Sequence, residues 1–180
     1  MPGPPLLAAL GALITLALPS TAWAADLTIK VRDRHISELG GFRTSGGHGT
    51  LGGAIRAWGR PSSRTREGNV GCKVGWSSVG VKATFANFGG GSGCSERLAR
   101  LQTAKLRSKR WTTERGLHVG DPSAKLKQLH PEAKFAAGYF LLYTAPDRYG
   151  TTGLDLPVVA AQMKGGAVRQ YLVEVLAAGD

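Results

Sequence analysis

The first residues in this chain whose types and spacing suggest chemistry are Gly47-His48-Gly49-Thr50-Leu51-Gly52. They match G-x-G-x-x-G at the start of a helical segment, and Glu67 lies about 20 residues further on, where a dinucleotide fingerprint places its ribose-binding acid. The residues before the motif, Phe42 to Gly46, make a poor buried strand, and Glu67 precedes the next strand instead of ending it. The motif therefore reads as a glycine-rich loop and not as a phosphate cradle. Gly90-Gly91-Ser92-Gly93-Cys94 stops one glycine short of a nucleophile elbow and reads as a turn. His35, His48, His118 and His130 are scattered at spacings that fit no metal site. His118 alternates with Leu117 and Val119 as a solvent-facing strand residue would, and His130, before Pro131, is expected to cap a helix end electrostatically. Of the 12 acids, Asp121 has a helix-capping position, and Asp147 and Asp155 sit in a turn-rich loop. The sequence thus names no catalytic residue, no metal ligand and no cofactor site.

Two further sets carry physical content. Cys72 and Cys94 are the only cysteines, and without a nearby pair of histidines they make half a zinc site at most. One disulfide is the economical reading and two separate buried thiols the alternative. Closing a loop of about 22 residues would contribute roughly 3 kcal/mol in the chain-entropy model. The other set is basic. The chain carries 23 Lys and Arg against 12 acids, a formal charge of +11. Arg97, Arg100, Lys105, Arg107, Lys109, Arg110 and Arg115 meet only Glu96 and Glu114 between positions 96 and 115. Such a run can grip phosphate or carboxylate polymers, because guanidinium groups match them bidentately; otherwise it is a solvated basic face. Trp111 within it reads as core and not as a stacking platform. Arg56, Arg60, Arg64 and Arg66 form a second cluster, with Arg56 and Arg60 one helical turn apart.

The elements that position these residues follow from periodicity. Pro5 to Leu18 is an uncharged run too short to span a bilayer, and it leads to Ala22-x-Ala24. Residues 1–24 are therefore expected to be an export signal cleaved after Ala24, with a retained anchor as the alternative. Leu27, Ile29 and Val31 alternate with polar residues as a strand does. Gly40 to Gly49 is a connector, and Thr50 caps a helix whose face is Leu51, Ala54, Ile55 and Trp58, stopped by Gly59 and Pro61. Arg60 to Gly68 reads as an exposed loop. Cys72, Val74 and Trp76, then Val79, Val81, Ala83 and Phe85, form a hairpin, and Leu101 to Leu106 adds a strand. The order recurs: Asp121 and Pro122 open a helix with Leu126 and Leu129, Pro131 ends it, Tyr139 to Thr144 is a strand, and Val158 to Met163 with Val168 to Val175 is a hairpin. Gly49 and Gly120, Ile55 and Leu126, and Pro61 and Pro131 stand 70 or 71 residues apart. The expected fold is α+β in two similar halves, residues 25–111 with the disulfide and 112–180, each a short helical element packed on an antiparallel sheet.

The run of Gly-Arg-Pro after the first helix, Cys72-x-Val74-x-Trp76, Cys94, then Trp111-x-Thr113-x-x-Gly116-Leu117-x-Val119-Gly120-Asp121 and a helix ending in His130-Pro131 resembles uncharacterised secreted actinobacterial proteins over most of residues 40–180. More distantly, the paired helix-on-sheet layout is similar to the tandem repeats of the β-lactamase-inhibitor-protein fold and to the single repeat of small outer-membrane assembly lipoproteins. That resemblance implies non-catalytic binding of other proteins. No partner-contacting residue of those families matches a position here, so inhibition of β-lactamases is not carried over, and a single cysteine pair is a further departure. The expectation is a secreted, non-catalytic protein that binds an extracellular protein through a sheet face. Binding of anionic cell-envelope polymers through Arg97 to Arg115 is the alternative, and a small secreted hydrolase of unrecognised type is a third. Nucleic acid and a membrane span after signal removal are not expected, and the sequence does not set the oligomeric state.

Overall fold

A computed structural model describes residues 26–44, 48–145 and 156–175. The expected export signal at 1–24 lies outside the described residues, as do Gly47, Asp147 and Asp155. Among the described residues the chain is α+β, with strand predominating over two short helices. Strands β1 (Leu27–Arg32), β2 (His35–Leu39), β3 (Phe42–Arg43) and β8 (Trp111–Thr113) form a sheet in the order β3-β2-β1-β8, with β8 parallel to β1. The second sheet has eight strands: β4 (Ser63–Glu67), β5 (Gly71–Trp76), β6 (Val81–Ala86), β7 (Arg100–Leu106), β9 (Lys134–Ala136), β10 (Tyr139–Ala145), β11 (Leu156–Lys164) and β12 (Ala167–Glu174). Its order is β4-β5-β6-β7-β12-β11-β10-β9, antiparallel throughout. Helix α1 (Leu51–Trp58) precedes the first four of these strands in the chain, and α2 (Ser123–Leu129) precedes the last four. The expected division between residues 111 and 112 falls inside β8.

Local sequence explains most of these elements. Cys72, Val74 and Trp76 of β5 and Val81, Ala83 and Phe85 of β6 are buried, while Lys73 and Lys82 between them are exposed. That alternation is what a sheet with one packed face requires. Thr50 caps α1 by accepting a hydrogen bond from the Gly53 amide at 3.2 Å, and the Gly59 amide closes the helix on the Ile55 carbonyl at 2.9 Å. The β11–β12 hairpin turns on Gly165 and Gly166, whose φ values of 61° and 77° suit a two-residue turn. Cys72 of β5 and Cys94 in the connection between β6 and β7 form a disulfide.

Four expectations are corrected. Arg60 to Gly68 is not simply a loop: Ser63–Glu67 is edge strand β4, exposed at four of its five positions and held by its ladder to β5. The connector before α1 contains β3, and β2 was not marked by apolar alternation. Arg60 lies beyond the end of α1, so it shares no helical face with Arg56. Asp121 is not the cap of α2, because Pro122 takes that position without any side-chain bond to the helix. The Asp121 carboxylate instead accepts from the His118 amide at 2.7 Å and pairs with Lys125 at 2.8 Å. Burial alone would raise its pKa, but those two hydrogen bonds and the nearby charges of Lys125 and His118 lower it below the ordinary 3.8.

The core forms where α1 meets both sheets. Trp58 of α1 packs edge-on against Phe42 of β3 and Trp76 of β5, both at 5.1 Å between ring centroids, and against Trp111 of β8 at 6.3 Å. Each indole N–H has a carbonyl: Trp58 donates to Leu39, Trp76 to Gly59 and Trp111 to Val79, at 3.1, 2.8 and 2.7 Å. Trp111 is fully buried. Trp111→Ala would open a cavity and orphan the Val79 carbonyl, so urea unfolding of this variant is expected to show a loss of about 3–5 kcal/mol. A loss under about 1 kcal/mol would mean that the indole is not part of the core.

Candidate functional site

The helix start that carries the G-x-G-x-x-G pattern has no free amides to offer an anion. Leu51 N–H donates to the Ala99 carbonyl at 2.9 Å, Gly52 N–H to Glu96 at 2.7 Å, Gly53 N–H to the Thr50 hydroxyl, and Ala54 N–H to the Thr50 carbonyl at 3.0 Å. The glycines allow close passage of the chain itself, since a Cβ on Gly52 would stand 2.8 Å from the Glu96 carbonyl oxygen. The Gly90–Cys94 segment is a turn, organised by Asn87, whose side chain donates to the Gly90 and Ser92 carbonyls.

His130 is the most unusual titratable group. Its ring is 1% exposed, its Nε2 lies 3.3 Å from the Thr113 hydroxyl, and its Nδ1 has no hydrogen-bond partner. Glu132 stands 3.9 Å from that Nδ1, and Arg115 holds Glu132 at 2.6 Å while also donating to the Leu129 carbonyl. Hydroxyl, imidazole and carboxylate in this order are the parts of a nucleophile, a base and its orienter. Thr113 is itself 1% exposed and its hydroxyl accepts from the Leu117 amide, so a substrate carbonyl has no approach to it. Burial lowers the pKa of His130 from its ordinary 6.5, Arg115 lowers it further, and Glu132 opposes both. Burial thus favours the neutral ring. This corrects the expectation of an electrostatic cap: His130 does follow α2, but as a neutral, buried C-cap residue.

The basic run does not gather into one patch. Arg97 lies in the loop before β7 and Arg100 at the start of that strand. Lys105 projects from the open face of the eight-stranded sheet, opposite Lys82. Arg107, Lys109 and Arg110 occupy the β7–β8 turn, where Arg107 Nε donates to the Gln170 side chain at 2.6 Å. Arg115 is engaged beyond β8 with Glu132 and Leu129. In the second cluster, Arg64 pairs with Glu96 at 2.9 Å and donates to the Cys94 carbonyl, and Arg66 donates to Gly68.

The sheet register brings together a set that the linear run does not show. One row across the open face reads Ser63, Gly75, Lys82, Lys105, Leu172, and the next reads Thr65, Lys73, Thr84, Thr103, Glu174. A depression of about 290 Å³ opens over these rows, bounded by Lys73, Lys82 and Lys105 with the hydroxyl-bearing Ser63, Thr65, Thr84 and Thr103. Lys73 is paired with Glu67, whereas Lys82 and Lys105 face each other across the β6–β7 ladder without an acidic partner among the described residues. Glu174 is half-buried at the other flank, and burial raises its pKa. The alternation in β5 and β6 marks Lys73 and Lys82 as outward; only the register across β6 and β7 places Lys82 against Lys105.

Among the described residues no group of three His, Cys, Asp or Glu side chains is placed to hold a metal ion, and no helix is long and apolar enough to cross a membrane. Comparison with protein-family models, curated proteins and solved structures finds no match to the chain.

The geometry at His130 yields a pH dependence with a definite sign. Its folded pKa lies below the unfolded value, so the unfolded chain binds the proton more readily, and this contribution to stability is complete above about pH 6.5 and lost as the pH falls below it. His130→Gln is expected to flatten the decline in urea-unfolding stability between about pH 6.5 and 5, whatever its effect on stability at neutral pH. An unchanged slope would show that His130 protonates as freely in the fold as outside it.

Proposed function

We propose that this chain is a secreted, non-catalytic binding protein of two similar halves that engages another protein through the open face of its eight-stranded sheet. The observation that carries the reading is the two-row face over β4–β7, polar, lined by short side chains and three lysines, and left exposed while the opposite face packs the whole core. A solvated sheet face needs no depression ringed by lysines, and like charges set directly opposite each other on it cost stability. The strand order supports the two-halves reading: a twofold that exchanges β7 with β12 also exchanges β6 with β11, β5 with β10 and β4 with β9. Export is supported by the short apolar run before Ala22-x-Ala24 and by the Cys72–Cys94 disulfide, a bond of oxidising compartments. The sealed state of Thr113 and His130 supports binding over hydrolysis.

The alternative, binding of anionic envelope polymers, retains Arg107, Lys109 and Arg110 as a local group in the β7–β8 turn, with Arg97, Arg100, Lys105 and Arg115 dispersed around it. A polymer chain would have to follow a broken path to meet all seven.

Intact mass of the protein recovered from the culture medium of its host is expected to correspond to a chain beginning at Ala25; a membrane-retained species beginning at Met1 would overturn the export reading. For the binding face, a photo-crosslinking amino acid at Thr65, exposed at the border of the depression, is expected to give a covalent protein adduct in that medium, and the same group at Lys127, exposed on α2, is not. Equal adducts at both positions, or none at Thr65, would sink the sheet-face reading.

A further inference from the structure

The lysine pair at the centre of the open face has a cost in the free protein that indicates what the face takes. Lys82 and Lys105 are direct cross-strand partners in β6 and β7. Opposed residues on one sheet face have Cβ atoms about 4.5–5.5 Å apart, and like charges placed so are destabilising. The protein does not answer this repulsion with an acid at that row: the flanking positions are Gly75 on one side and Leu172 on the other. Directly beside the pair in the next row, Thr84 and Thr103 are also cross-strand partners, so two hydroxyls stand next to two ammonium groups around the same depression.

We propose that this group, Lys82, Lys105, Thr84 and Thr103, is a carboxylate-binding site that receives an acidic side chain from a surface loop of the partner protein. The inference rests on the sheet-face reading above and specifies its central contact. A carboxylate seated between the two ammonium groups converts their repulsion into two charge-assisted hydrogen bonds and leaves its remaining lone pairs to the hydroxyls. The surroundings select a single acid over a polyanion. Lys73 is already neutralised by Glu67, and Glu174 stands across from Thr103 on the other flank. Three lysines against two glutamates leave a net charge of +1, which matches one carboxylate. A chain of repeating phosphates running along the second row would meet Glu174 beside Thr103. Leu172, next to Lys105 in the same row and half-buried, offers an apolar contact to the residue beside the acid.

The test uses the disulfide-bonded chain from Ala25, isotopically labelled, and follows backbone amides by NMR. The probe is the peptide acetyl-Gly-Leu-Glu-Gly-amide; acetyl-Gly-Leu-Gln-Gly-amide is the neutral control and poly(glycerol phosphate) the polyanion arm. The Glu peptide is expected to shift Lys82, Thr84, Thr103 and Lys105 saturably, the Gln peptide is not, and Lys82→Gln/Lys105→Gln should weaken binding about tenfold or more. That double variant is expected to melt at or above the temperature of the parent, because it removes the repulsion. Equal binding of the two peptides, undiminished binding by the double variant, or melting well below the parent would overturn the proposal. Tighter saturation of the same amides by poly(glycerol phosphate) than by the Glu peptide, at equal charge concentration, would overturn its commitment to a protein carboxylate. The two readings fail separately. A Thr65 crosslink that persists in the double variant removes the carboxylate site and keeps the face, and peptide binding without any Thr65 crosslink removes the face as a protein-docking surface and keeps the site.

Discussion

Three indoles that must each bury a large ring and still find a carbonyl for one N–H constrain everything else in this fold. Trp58, Trp76 and Trp111 come from the helix, the large sheet and the small sheet, and they meet edge-to-face at 5.1 and 6.3 Å. Their acceptors, Leu39, Gly59 and Val79, lie on β2, at the end of α1 and in the β5–β6 turn. Each hydrogen bond therefore ties one layer to another, and a buried indole without its partner would cost the desolvation of that N–H. The position of α1 follows from this. Once Trp58 is seated, Gly52 must pass close under the Glu96 carbonyl, and the amides at the helix start are consumed by the loop leading into β7. The pattern that looks like a phosphate loop is thus a consequence of packing the helix against its own chain.

Packing on one face only determines the character of the other. Because the aromatic cluster, the disulfide and α1 pack on the inner side of the sheet at β5–β7, alternate residues of those strands face outward with nothing from the core to cover them. A sheet in that position needs polar residues on its outer face, and Thr65, Lys73, Thr84 and Thr103 meet that need at little cost. Two lysines in direct register do not. The same face could be solvated by a lysine opposite a threonine or a glutamate, and the proposed carboxylate supplies the opposite charge that the Lys82–Lys105 pair lacks.

What the sequence disclosed and what it withheld divide along a physical line. Strands β1, β5 and β6 announce themselves by alternation, β7, β10, β11 and β12 by apolar stretches between turn signals, and α1 by Thr50, its apolar face and Gly59. The disulfide followed from two cysteines at either end of one hairpin. Edge strand β4 was hidden because Ser63–Glu67 has no apolar residue to alternate. Strand β2 was hidden because its hairpin turns on Asp33 and Arg34, with φ of 50° and 62°, where a reader looks for glycine. The candidate site was half visible: outward-facing lysines can be picked from alternation, but their meeting depends on the register between β6 and β7, which shifts by a residue between Thr84 and Phe85. A bulge is a one-residue event that no local pattern at Lys82 or Lys105 encodes.

Charge makes the same point most sharply. The run from Arg97 to Arg115 looks like one patch because its residues are close in the chain, yet it passes through a loop, a strand, a tight turn, a second strand and the connection to α2. Along a strand, adjacent side chains leave by opposite faces, and across a turn they diverge further, so linear density of charge has little to do with density in space. Acids recruited from afar then neutralise individual members. Glu132 takes Arg115, and in the second cluster Glu96 takes Arg64. The excess of +11 is spread over the surface and governs solubility and long-range attraction, which is screened within about 8 Å at physiological salt. Specific recognition depends on charges brought together in space, and in the described residues the β6–β7 ladder sets Lys82 opposite Lys105. In the proposed site such a pair would bind through the difference between two states, repelling each other when the face is bare and sharing a ligand when it is covered. For that reason, two lysines 23 residues apart in the chain say more about a partner than seven basic residues in a row.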